Sequence, residues 1–168
     1  MHSPNPADQT ARVASLHLHP PTPGTPLTSV EAIEVVEQKG IAGEPRYFGR
    51  VRNDGSPSLR QVTLIEREQM AEHAAALGLQ TIPPGAVRAN IETTGIELVP
   101  LSGKQVEIGE TVLLIGAPRD PCEKMDAVCR GLRERMMNNR QGVLAQVLRS
   151  GRIRVGDPIR VKEVAEKS

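Results

Sequence analysis

Apolar positions along the chain recur mostly with a period of two and in short runs. In "RVASLHLH", Leu16 and Leu18 face one way and His17 and His19 the other, the alternation of a half-buried strand with its histidines on the solvated side. Two histidines with no further donor nearby in sequence make a weak zinc site. "TSVEAIEVVEQKG" fits either a short helix capped by Thr28 or Ser29 and ended by Gly40, or an irregular β segment through Val30, Ile33, Val35 and Val36; the balance is toward extended structure. "RQVTLIERE" predicts a strand burying Val62, Leu64 and Ile65, running into the alanine-rich helix "EREQMAEHAAALG", stopped by Gly78. After the "IPPGAVRAN" loop, "KQVEIG" and "ETVLLIGAP" flank Gly109 and Glu110 as a hairpin. "GVLAQVLRSGRIRVGDPIRVKEV" predicts a second hairpin about Ser150 and Gly151, then a turn at Gly156 and Asp157 before a last strand. Short strands, two helices and frequent Gly or Pro predict an α+β protein, mainly β, on a curled antiparallel sheet or small barrel.

Composition narrows the function more than the fold. With 168 residues the chain has room for one ordinary domain, read as residues 11–164 behind a flexible tail at 1–10. Aromatic residues make up 1% of the chain, so the core must be Val, Ile, Leu, Met and Ala, and no base-stacking platform exists. Basic and acidic residues nearly cancel, 21 against 20, which gives no global pull toward nucleic acid or an anionic membrane. No apolar run approaches the roughly 18 residues of a membrane span, and "MHSPNPADQT" lacks the regions of a secretory signal. The expectation is a soluble, cytoplasmic protein. The motifs GxxxxGK[ST] and GxGxxG are both missing.

Both cysteines fall in "PRDPCEKMDAVCRGLRERM". On one continuous helix, Cys122 and Cys129 would lie about 10 Å apart, beyond the roughly 7 Å limit between bridged α-carbons, so they are read as free thiols. Asp120 as N-cap, Pro121 in the first helical position and Glu123 reaching back would place Cys122 in a first turn, where unpaired N–H groups favour thiolate while the two carboxylates oppose it. Cys129 belongs to an apolar stripe with Met125, Val128, Leu132 and Met136 and is read as core. Local features leave Cys122 open between a functional thiol and a buried small hydrophobe.

The order of "GIAGEPRYFGR", "RQVTLIERE", "PPGAVRANIETTGIELVPLSGKQVEIGETVLLIGAPRDPCEKM" and "GVLAQVLRSGRIRVGDPIRV" resembles the MOSC family, the domain also found at the C-terminus of molybdenum-cofactor sulfurases, from about Gly40 to Val161. The resemblance implies a MOSC-type antiparallel β-barrel-like core with two short helices that binds the molybdenum cofactor or its molybdopterin part. It makes Cys122 the catalytic cysteine, as molybdenum ligand or sulfur carrier. A thiolate is a soft ligand that can coordinate a high-valent metal or hold a persulfide. It also implies Arg60, Gln61, Arg88, Asn90 and Arg46 as cofactor-binding residues, because a phosphate and a pterin edge need fixed donors. Many members read Gly-Asp-Arg where this chain has Gly43, Glu44, Pro45 and Arg46, which puts a role for that acid in question. Asp157 matches the family and is read as a turn carboxylate.

Two functions follow from the resemblance. The first is a molybdenum-dependent oxidoreductase, or a component of one, that reduces N-hydroxylated small molecules with electrons from an external donor, since the chain has no cysteine set for an iron-sulfur cluster. The second is a sulfur (persulfide) carrier or cofactor-delivery module served by a sulfur-donating protein; the chain's length leaves no room for a desulfurase domain. A nucleic-acid-binding barrel using Arg130, Arg133, Arg135 and Arg140 ranks last, because a charge run opposite an apolar stripe is usually a solvated face.

Overall fold

The computed structural model describes residues 11–122 and 124–162. The tail read at 1–10, the capping role of Glu123 and the domain's last residues, 163 and 164, lie outside the described residues. β1 (Arg12–Leu18), β2 (Thr28–Val30), β3 (Ala32–Val36) and β4 (Gly40–Ile41) open the chain, so "TSVEAIEVVEQKG" is extended. β5 (Val62–Glu66) runs directly into α1 (Arg67–Ala76), and Gly78 at φ +73° turns the chain away just beyond it. β6 (Ile91–Thr94), β7 (Gln105–Ile108), β8 (Thr111–Pro118), α2 (Lys124–Val128), α3 (Leu132–Arg135), β9 (Val143–Arg149), β10 (Gly151–Arg154) and β11 (Ile159–Val161) follow.

The strands form an eight-stranded sheet in the order β11-β7-β8-β9-β5-β6-β1-β2 and a three-stranded sheet β10-β3-β4. The β7–β8 hairpin forms as its sequence predicts, with Ile108 opposite Thr111. The second predicted hairpin does not. β9 pairs with β5 and β8, whereas β10 pairs with β3 in the other sheet. The chain changes sheets at Ser150, whose hydroxyl accepts the Glu37 N–H (2.8 Å) while Gln38 N–H donates to the Val147 carbonyl (2.9 Å), so the β3–β4 turn occupies the space a hairpin partner would need. One pair, β5 with β6, is parallel. The large sheet curls until Ile159 N–H reaches the Ala11 carbonyl (2.9 Å) and Val13 N–H the Asp157 carbonyl (2.9 Å), but no closed barrel forms.

The core is aliphatic, as the composition requires, and it is divided. One cluster, including Leu16, Leu64, Ile91, Leu113 and Val147, fills the inside of the curl; a second joins Ile65, Met70, Val87, Met125, Leu132 and Met136 beneath the helices. Every residue of β5 is therefore buried, Leu64 toward one cluster and Ile65 toward the other. The same outer layer overturns the reading of "RVASLHLH": His17 in β1 and His19 just beyond it are buried, 0% and 3% exposed. Loop residue Gly85 lies over His17, leaving a Cβ there only 3.0 Å from Nδ1.

The helix expected to run through both cysteines is two short ones, which makes three α-helices among the described residues in place of the two predicted. Gly131, at φ +93°, breaks it, and the Asp126 carboxylate accepts the N–H groups of Gly131 and Arg133 (3.2 and 3.1 Å). Met125, Leu132 and Met136 are buried as the stripe predicts, while Cys129 is half-buried against the same cluster.

Burial holds His17 and His73 below the ordinary imidazole range. An imidazole that resists protonation in the fold contributes stability fully present above its unfolded value of about 6.5 and lost progressively as pH falls from there to its lower folded value. Acidification from pH 7 is therefore expected to lower the unfolding free energy, read as a falling urea midpoint, by at most about 1.4 kcal/mol per pH unit for each histidine. Glu66, raised by burial, offsets part of this because its buried carboxyl favours the proton. His73→Asn should flatten the profile; an unchanged slope refutes its share.

Candidate functional site

The site begins with one turn of chain. Tyr47 and Phe48 N–H groups donate to the Glu44 carbonyl (3.0 and 2.8 Å), so "GEPRYF" folds back on itself with Glu44 inward and Arg46 and Tyr47 at the rim. The Glu44 carboxylate is 1% exposed and accepts the His19 backbone N–H and the Asn90 amide (2.9 Å), with His19 Nδ1 at 2.8 Å. His19 Nε2 faces the Arg88 carbonyl at 3.1 Å; a carbonyl only accepts, so Nε2 carries a hydrogen. The added methylene relative to aspartate thus carries the carboxylate into a buried network that supports the Arg88 backbone, held at φ +65°.

Two arginines pack on Tyr47, and two more lie buried or half-buried in the same region. The guanidiniums of Arg60 and Arg46 lie 4.6 and 5.1 Å from its ring centroid, and His19 packs edge-on at 4.9 Å. Arg88 spends Nη1 on the Thr25 carbonyl (2.8 Å) and leaves Nη2 buried and unpartnered. Arg119 is 7% exposed, and its backbone N–H donates to the Gly142 carbonyl (2.9 Å). Burial, then the positive charge of Arg60, push the Arg119 guanidinium down to about 9; Cys122 and Tyr47 pull it up and Arg88 lowers it further. Arg60, Cys122, Tyr47 and Arg88 thus all lie within electrostatic reach of Arg119. Buried nitrogens of Arg46, Arg88 and Arg119 lack a hydrogen-bond partner.

Cys122 is half-buried and within electrostatic reach of Arg119. It precedes α2, with its carbonyl accepting the Met125 N–H (3.0 Å), so Asp120 and Pro121 do not cap the helix as predicted. A cleft of about 540 Å³ opens alongside, lined by Pro26, Leu27, Pro83, Pro84, Arg88 and Lys124. Cys122 does not line it, but Lys124, two residues on, does.

Of the residues implied by the resemblance, Arg46 and Arg60 come together over Tyr47, and Arg60, Arg88 and Cys122 come within electrostatic reach of Arg119. Gln61 does not: its amide donates to Gln38 Oε1 (3.1 Å) and the Ser58 carbonyl (2.9 Å) and accepts the Val147 N–H (2.8 Å). Asn90 is also committed internally, accepting from Thr63 N–H (3.0 Å) and Oγ1 (3.1 Å) and donating to the His17 carbonyl and Glu44. Both are 2% exposed and hold strands rather than face the pocket. Asp157 accepts the Arg154 N–H (2.8 Å) as a turn carboxylate. Arg119 was not legible as a site residue. Its one signal is a charged residue ending the apolar β8, directly before "DPC".

Among the described residues no cluster of three or more His, Cys, Asp or Glu side chains suits a metal ion, and no helix is long and apolar enough to cross a membrane. The fold and site define a mainly β, α+β domain with an arginine cluster, a half-buried thiol within electrostatic reach of it and a cleft lined in part by Arg88. The MOSC domain family profile matches residues 44–160. The chain belongs to the MOSC domain family. Among solved structures it resembles the YUAD protein from Bacillus subtilis (TM-score 0.76, 22% identity, covering 90% of this chain and 94% of that one). It is also similar to YiiM from Geobacillus stearothermophilus (0.72, 18%, 91% and 75%) and YiiM from Escherichia coli (0.63, 18%, 94% and 70%). No curated protein matches it.

Proposed function

We propose that the chain binds the molybdenum cofactor and serves as an enzyme, or a component of one, that reduces N-hydroxylated compounds with electrons from an external donor. The observation that carries the reading is the set of unpartnered buried guanidinium nitrogens on Arg46, Arg88 and Arg119. A buried donor without a partner is costly, and an anion bearing several oxygens is the natural partner for several guanidiniums. The donor set therefore fits the phosphate of molybdopterin. In this reading Arg46, Arg60, Arg88 and Arg119 hold that phosphate, Tyr47 keeps the Arg46 and Arg60 planes in place, and Cys122 supplies the soft metal ligand. When bound, the metal would supply the electron pair that, with protons, converts an N–OH group to N–H and water. The apolar cleft beside Arg88 and Lys124 offers room for a small substrate. Free thiols suit a reducing compartment, consistent with the cytoplasm.

The test is molybdenum and pterin content in protein made in a cofactor-producing host, compared with Cys122→Ala and Cys129→Ala. Wild type and Cys129→Ala should retain both, and Cys122→Ala should lose at least tenfold in metal. If no variant holds metal or pterin, the reading fails, and Cys122 becomes a persulfide carrier or a packing residue.

A further inference from the structure

Between Arg46 and Arg60 the chain leaves the pocket and returns as a narrow finger. Val51 bridges Pro57, Arg52 N–H donates to the Ser56 carbonyl (2.7 Å), and Ser58 N–H to the Arg50 carbonyl (2.9 Å). At the tip the Asp54 carboxylate accepts Ser56 N–H (2.9 Å) and Oγ–H. Backbone bonds therefore give the finger a fixed shape. Its base belongs to the pocket: Arg50 Nη1 donates to the Arg46 carbonyl (3.3 Å), and Arg60 lies on Tyr47.

The outer surface is unusual for a solvated loop. Val51 is 66% exposed, the highest value for any large apolar side chain among the described residues, and Leu59 is 49% exposed. Exposed Arg50 and Arg52 flank them, and Asp54 is the only carboxylate in residues 46–60, against Arg46, Arg50, Arg52 and Arg60. Two exposed apolar side chains among exposed arginines have a composition found in protein interfaces, where arginine is enriched. We propose that residues 49–59 form the docking surface for an acidic protein. Carboxylates on that partner pair with Arg50 and Arg52, and a small apolar patch on it covers Val51 and Leu59. Docking there brings the partner beside Arg46, Arg60 and Tyr47 at the base of the finger. This gives a place to the external donor of the proposed function and rests on that reading for what the partner delivers.

Nucleic acid suits the finger less well. The Tyr47 ring is already packed by Arg46, Arg60 and His19, so it offers no face for a base, and exposed Val51 and Leu59 gain nothing from phosphates.

The probe is an acidic plant-type [2Fe–2S] ferredoxin, titrated against the full chain by calorimetry at about 50 and about 200 mM salt. Binding should weaken with salt, Arg52→Glu should lower affinity about tenfold, and Val51→Ser should lower it measurably at both salts. Arg133→Glu on α3, equally exposed, should leave it unchanged. Molybdenum and pterin content should be unaltered in all three variants, so a failure here is separable from a failure of the pocket reading. The proposal is overturned if ferredoxin does not bind, or binds the finger variants as it binds wild type. It is equally overturned if a short single-stranded RNA, or a second copy of the chain seen in sedimentation, is what the finger variants lose.

Discussion

Gly142→Ala is expected to leave little folded protein, with a loss above about 4 kcal/mol, where Gly78→Ala should cost only about 1 kcal/mol. Both glycines have positive φ, +79° and +73°, so the left-handed backbone strain is common to them. They differ in what a side chain would meet. A Cβ on Gly142 would fall 1.9 Å from the Leu64 carbonyl oxygen and 2.9 Å from the Ile65 α-carbon, whereas one on Gly78 would meet nothing within 4 Å. The obstacle is backbone in β5, a central strand with every residue buried, so nothing can rotate aside. Relief requires β9 to part from β5 just where Val143 opposes Leu64. Gly142 also gives its carbonyl to Arg119, so the site would lose its anchor with the fold. Domains of this size are stable by about 5–15 kcal/mol, and losses of this order are measurable as soluble yield and urea midpoint. A Gly142→Ala protein within about 1 kcal/mol of wild type would show that the β5–β9 contact can open freely.

The legible parts of the fold were those whose partners lie close along the chain. β7 and β8 declare each other through alternation around Gly109 and Glu110, and α1 declares itself through alanines and Gly78. β9 and β10 show the same local signs around Ser150, yet β10 finds its ladder on β3, more than a hundred residues away. Alternation reports which residues share a face, not what covers that face. Hence the pattern in β1 was real, but the outer layer of Gly85 and its neighbours buries His17 as fully as Leu16. The site divides in the same way. Arg88 and Cys122 were legible through the order of motifs. Asn90 and Gln61 stand in the same motifs, but their amides satisfy backbone groups of neighbouring strands, a role that depends on partners from distant segments. Arg119 escaped because its meaning is its burial, and a strand-ending arginine normally reads as a solvated terminus.

Arg119→Met is expected to do two opposite things: stabilise the ligand-free protein by about 1–2 kcal/mol and abolish its response to phosphate. A guanidinium pushed down to about 9 is still ionised at neutral pH, but burial and the positive charges of Arg60 and Arg88 oppose its charged form. Among the described residues no carboxylate pairs with it, and Nη1 has no partner. Methionine is unbranched and flexible enough to fill the same space without the charge. An arginine that opposes folding and is repaid only when an anion arrives is the signature of a binding residue; one serving the fold would be paired already. Inorganic phosphate should therefore raise the urea midpoint of wild type by an amount that grows with the logarithm of its concentration once the site fills. That rise should vanish in Arg119→Met, and Arg119→Lys, which restores a point charge without the planar fork, should recover part of it. Cofactor retention should fall with the phosphate response. If Arg119→Met instead unfolds more easily while phosphate still protects it, the guanidinium is part of the scaffold and the anion must be held by Arg46, Arg60 and Arg88 alone.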